Sequence, residues 1–106
     1  MQVLFSSDAS VAAPQAMAQH VETVVKDALG RFGEQVTRVE AHLTDNNGHQ
    51  RSHPEEIQCT LEARLVGLEP VVVKDNAGSA HQAIQGAVGK LQRAVGAVLG
   101  KHDTHR

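Results

Sequence analysis

The chain has 106 residues, a net charge of −2 and a single cysteine, which allows one domain and no intramolecular disulfide. Aromatic content is 2%, Phe5 and Phe32 alone, which argues against a reader that stacks single-stranded bases on rings. Charge is uneven: residues 1–75 hold six Lys/Arg and eleven Asp/Glu, a balance of −5, whereas residues 76–106 hold four and one, a balance of +3. Such asymmetry points to a basic face on an acidic body.

In chain order, Gln2–Ser6 is a short apolar run that reads as a strand. Ser7-Asp8-Ala9-Ser10 is turn chemistry, and Pro14 suits the first turn of a helix. Met17, Val21, Val24, Val25 and Ala28 then recur at helical spacing, so a helix is expected over about residues 13–29, stopped at Gly30. Val36–Thr44 alternates, with Val39, Ala41 and Leu43 on one side and Arg38, Glu40, His42 and Thr44 on the other. Glu55–Val66 does the same, with Ile57, Cys59, Leu61, Ala63 and Leu65 opposite Gln58, Thr60, Glu62 and Arg64. Alternation this long predicts strands with one buried and one wet face, as in antiparallel sheets. Asp45–Pro54, polar and containing Asn46-Asn47-Gly48, reads as a long hairpin loop. Gly67-Leu68-Glu69-Pro70 turns the chain into a fourth strand, Val71–Lys74.

Ser79 is an expected N-cap for the last helix. Its apolar stripe, Ala80, Ala83, Ile84, Ala87, Val88, Leu91, Ala94, Val95, Val98 and Leu99, runs for more than five turns. The order β-α-β-β-β-α predicts an α+β two-layer sandwich, a four-stranded sheet with two helices on one face. It is one domain over residues 1–102 with a frayed tail over 103–106.

Chemistry-bearing clusters are sparse. His49 and His53 fall in the hairpin loop and His102 and His105 near the tail, without Cys or carboxylate partners at a ligand spacing, so no metal or cofactor is expected. Cys59 lies on an inward strand face, where cysteine behaves as a small hydrophobe. No phosphate loop or paired catalytic carboxylates stand out, and an enzyme is not expected. The N-terminus lacks the pattern of a signal peptide and no apolar run is long enough to span a bilayer, which with the lone cysteine predicts a cytoplasmic protein. On the outer side of the last helix, Gly86, Gly89, Gly96 and Gly100 share a broad stripe with Lys90, Arg93, Ala97 and Lys101. Bare helix surface flanked by cations would let a phosphate chain approach; a Gly-rich and Ala-rich composition would produce the same pattern.

The stretch Ser79–Arg93 carries Ala83-Ile84 and Lys90-Leu91-x-Arg93, and Leu29–Leu43 carries Phe32 with the Val39, Ala41, Leu43 alternation. On these residues the sequence resembles the ribosome hibernation-promoting factors and ribosome-associated translation inhibitors, in their short form. Ser79, His81 and Gln85 stand where that family's motif has an acid, a tyrosine and an aspartate. The resemblance implies docking on rRNA phosphates of the small ribosomal subunit, in the mRNA and tRNA channel, and translational inhibition by steric occlusion. It implies Lys90, Arg93 and Lys101 as contacts; Lys26, Arg31 and Lys74 are further candidates that could flank the helical layer. Arg38 and Arg64, interleaved with Glu40 and Glu62, are expected to form surface pairs instead. The alternative is a protein-interaction module on the same fold, without ribosome binding.

Overall fold

The computed structural model describes residues 1–8, 14–45 and 57–103. Its elements are β1 (Gln2–Ser7), α1 (Pro14–Leu29), a 3-10 segment (Gly30–Gln35), β2 (Val36–Asp45), β3 (Ile57–Leu65), β4 (Val71–Ala77) and α2 (Ala80–Asp103). The β-α-β-β-β-α order read from the sequence is the one observed. The loop expected over Asp45–Pro54, with His49 and His53, falls outside the described residues beyond Asp45. So do His105 and the last three positions of the expected tail, whose first residue, Asp103, is still helical.

The four strands form one sheet in the order β1-β2-β3-β4. The β2–β3 and β3–β4 pairs are antiparallel, but β1 runs parallel to β2. A parallel neighbour cannot be reached by a tight turn, and α1, about 24 Å long at 1.5 Å per residue, provides the crossover. The 3-10 segment then returns the chain to the sheet. Gly33 (φ 60°, ψ −133°) makes its kink in a backbone region that a side chain disfavours. Gly67 (φ 71°) plays the same part in the β3–β4 turn.

Alternation decides which face is covered. Val39, Ala41 and Leu43 of β2 and Cys59, Leu61, Ala63 and Leu65 of β3 are buried beneath Met17, Val21, Val25 and Leu29 of α1 and seven apolar residues of α2. The described core contains no buried polar or charged residue. Where helix ends would leave carbonyls unpaired, side chains substitute: Gln92 Nε2 donates to Ala28 O at 3.0 Å, joining α2 to the last turn of α1. At the start of α2, Ser79 Oγ accepts from the Gln82 amide at 3.3 Å, the cap read from the sequence. β4 is longer than expected, reaching Ala77, because Asp75 and Asn76 continue its alternation in spite of their polarity.

Candidate nucleic-acid interface

The open face of the sheet is built in cross-strand rows set by register. Gln2, Arg38 and Arg64 form one row, and Leu4, Glu40, Glu62 and Val72 the next. Like charges thus sit side by side within a row, and each is offset by a neighbour two residues along its own strand. Arg38 Nη2 lies 2.8 Å from Glu40 Oε2, and Arg64 Nη2 lies 3.5 Å from Glu62 Oε2. Both arginines are therefore committed to surface pairs, as the interleaving suggested.

The third row, Ser6, His42, Thr60 and Lys74, contains an arrangement that sequence reading missed. His42 Nδ1 meets Ser6 Oγ at 2.7 Å and His42 Nε2 meets Asp8 Oδ2 at 3.2 Å. The order of residue types is that of a hydrolytic triad. It stands on an open surface where water competes for each member, and it fastens the end of β1 to β2 alongside the Asp8 amide bond to Leu43 O. No sequence spacing could have found it, since register alone brings position 42 beside position 6.

Basic residues of another kind gather where α2 lies along β4. Lys90 Nζ donates to Lys74 O at 2.9 Å and pairs with Asp75 Oδ1 at 3.1 Å. Lys74, although on the other side of the strand, joins Lys90 in one shallow groove with Gln58, Asp75 and Asn76. Arg93, Ala97 and Lys101 continue from Lys90 within an arc of about 80° on the helix, all exposed. Lys101 also borders an apolar groove formed with Leu68, Ala97 and Val98. The structure thus brings Lys74, Lys90, Arg93 and Lys101 along one flank. Lys26 and Arg31, the other two candidates, make contacts of their own. Lys26 pairs with Glu22 one turn earlier on α1 at 2.8 Å, and Arg31 lies 5.0 Å over the Phe32 ring.

The glycine stripe of α2 is only partly bare. A Cβ added at Gly86 would fall inside the Asp75 carboxylate, and one at Gly96 would meet the Phe32 ring at 3.6 Å. These two glycines admit contacts from the chain itself, and a Cβ at Gly89 would meet the Arg93 guanidinium at 3.7 Å; around Gly100 the helix backbone is left open for an outside group. Sequence spacing could not single out Gly86 and Gly96, because their partners come from β4 and the 3-10 segment.

His81 has a structural neighbour. Its ring packs on His20 of α1, centroids 4.6 Å apart and tilted by 54°, so it ties the start of α2 to α1. His20 Nε2 is buried with no hydrogen-bond partner among the described residues. Cys59 is buried, and burial first, then the negative charge of Asp75, pushes its thiol up to about 12. Such a thiol is inert as a nucleophile. Among the described residues, no three His, Cys, Asp or Glu side chains are grouped to hold a metal, and no helix is long and apolar enough to cross a membrane.

The fold is shared with solved structures. The N-terminal domain of Protein Y from Thermus thermophilus superposes with a TM-score of 0.69 at 17% identity, covering 90% of this chain and 96% of that one. A ribosomal subunit interface protein from Coxiella burnetii superposes with the same TM-score at 9% identity, covering 94% and 99%. No curated protein matches the sequence. The family model described as sigma 54 modulation protein / S30EA ribosomal protein matches residues 7–102. With that match spanning both helices and strands β2 to β4, the chain belongs to the sigma 54 modulation protein / S30EA ribosomal protein family.

Proposed function

We propose that this chain docks on the small ribosomal subunit, in the channel that mRNA and tRNAs would occupy, and silences idle ribosomes by filling it. The observation that carries the reading is the flank of Lys74, Lys90, Arg93 and Lys101 on a ribosome-associated family's fold. Four cations along a helix and a strand edge suit the phosphates of folded RNA, which are recognised by shape and charge more than by base sequence. The scarcity of aromatic rings fits the same picture. Inhibition then needs no chemistry: a domain wedged in the channel excludes the mRNA and tRNAs. A ribosomal partner implies a cytoplasmic protein, and idle ribosomes imply a role under stress.

The second reading is a protein-interaction module, favoured by the net charge of −2 and by the apolar groove of Leu68, Ala97 and Val98. Co-sedimentation with 30S subunits and 70S ribosomes at two salt concentrations separates the two. The ribosome reading expects about one chain per small subunit. Three to four phosphate contacts would lower affinity roughly forty- to 150-fold between 50 and 200 mM salt. Lys90→Glu combined with Arg93→Glu should abolish pelleting while the chain stays folded with only a small loss of thermal stability, since the Lys90–Asp75 pair it breaks is exposed to water. Absence of binding at low salt, or full binding by the double variant, overturns the proposal. Salt-insensitive association would favour the protein-interaction module.

A further inference from the structure

The groove at the β4 edge holds a carboxylate where an RNA-binding flank would be expected to hold none. Asp75 belongs to the inward-facing set of β4, yet it sits at the sheet edge with its side chain 26% exposed. It reaches α2 because residue 86 is glycine: any side chain there would displace the carboxylate. Lys90, one turn further along α2, is held between Asp75 Oδ1 at 3.1 Å and Lys74 O at 2.9 Å. Among the described residues Asp75 is the carboxylate that pairs with Lys90. The lysine side chain remains 48% exposed, so the pair is wet, weak and easily exchanged.

We propose that Asp75 is an internal stand-in for a phosphate, holding Lys90 in the unbound chain and yielding it to a phosphate oxygen when the flank docks on RNA. The inference rests on the polyanion-binding reading above and names what regulates that surface. With Lys90 neutralised, the resting flank presents a weaker positive field than its sequence suggests, and it attracts stray nucleic acid less. A ligand that offers one phosphate must displace Asp75 for a single contact. A folded RNA surface that offers several phosphates in register gains contacts at Lys74, Arg93 and Lys101 in the same event. The carboxylate therefore selects for a polyanion that presents several phosphates in register over one that presents a single phosphate.

A plain fold-stabilising ion pair between α2 and β4 would predict lower stability and no gain in affinity on its removal. The test uses Asp75→Asn and Gly86→Ala, each alone and together with Lys90→Gln. Affinity is measured for small subunits and, in parallel, for a 20-base-pair RNA duplex, with thermal unfolding as the check on folding. Each single variant should bind up to about fivefold more tightly than the parent, the exchange value of an exposed ion pair. Neither gain should survive in the Lys90→Gln background. Gly86→Ala is the sharper arm, since it evicts the carboxylate without changing net charge, and Asp75→Asn decides should that variant unfold. Unchanged or weaker binding by the folded single variants overturns the proposal, as does a gain that persists without Lys90. If small subunits bind no variant but the duplex follows this order, the ribosome reading falls and the Asp75 exchange stands. If the parent binds neither, both fall.

Discussion

The open sheet face and the β4–α2 flank both carry cations, and the fold treats them in opposite ways. On the sheet, period-two alternation puts residues i and i+2 on one side, so Arg38 meets Glu40 and Arg64 meets Glu62. On α2 there is no Asp or Glu before Asp103, and Lys90 is answered from another element. That element is β4, which supplies the Asp75 carboxylate to Lys90. A basic residue's availability is thus set by the periodicity of its own element and by what the neighbouring element places opposite. A count of lysines and arginines alone would not have shown which of them are already paired within their own element.

Three measurements test that contrast. The largest effect is expected beneath the sheet. Leu61, fully buried between the open-face neighbours Thr60 and Glu62, should cost about 2–5 kcal/mol on truncation to Ala, read by denaturant unfolding. Comparable losses from Thr60→Ala would mean that the open face carries stability after all. Next comes Cys59, whose thiol rises from 9.0 to about 12. Between those values the folded chain keeps a proton that the unfolded chain has released, so stability falls as pH rises from about 9 towards 12, by up to about 1.4 kcal/mol per pH unit. Below pH 9 the thiol contributes no slope. Cys59→Ala should flatten the alkaline limb of the stability curve, and an equally steep fall in that variant would contradict the assignment. The smallest effect belongs to the open face itself. Arg38→Gln with Arg64→Gln should change small-subunit affinity by less than about threefold, because both guanidinium groups already have partners. A loss as great as that from reversing Lys90 and Arg93 would erase the distinction between the two surfaces.

The strands β2 and β3 and the stripe of α2 were legible because their patterns are long and one face of each is apolar. The end of β4 was less so: the expected strand stopped at Lys74, and only pairing with Cys59 and Gln58 reveals Asp75 and Asn76 as strand. The parallel direction of β1 leaves no mark on its six residues; it follows from the helix interposed before β2. The candidate interface divides in the same way. Lys90, Arg93 and Lys101 share a helical side and could be grouped by spacing. Lys74 joins them only through the packing of β4 against α2, while Lys26 and Arg31 are turned to other partners by Glu22 and Phe32. The glycines at 86 and 96 looked like an empty stripe, since the side chains that fill it lie 11 and 64 residues away in sequence.

The bond from Lys90 Nζ to Lys74 O has a consequence for solubility. β4 is the last strand of its sheet, with Val72 more than half exposed, and an unguarded edge of this kind is a template on which a second copy can add a strand. A lysine ammonium clasping a carbonyl of that edge removes one rung of the ladder and sets a like charge against any approaching copy. One side chain would then perform two duties, meeting the RNA when docked and, when free, keeping the molecules of a concentrated pool from zipping together.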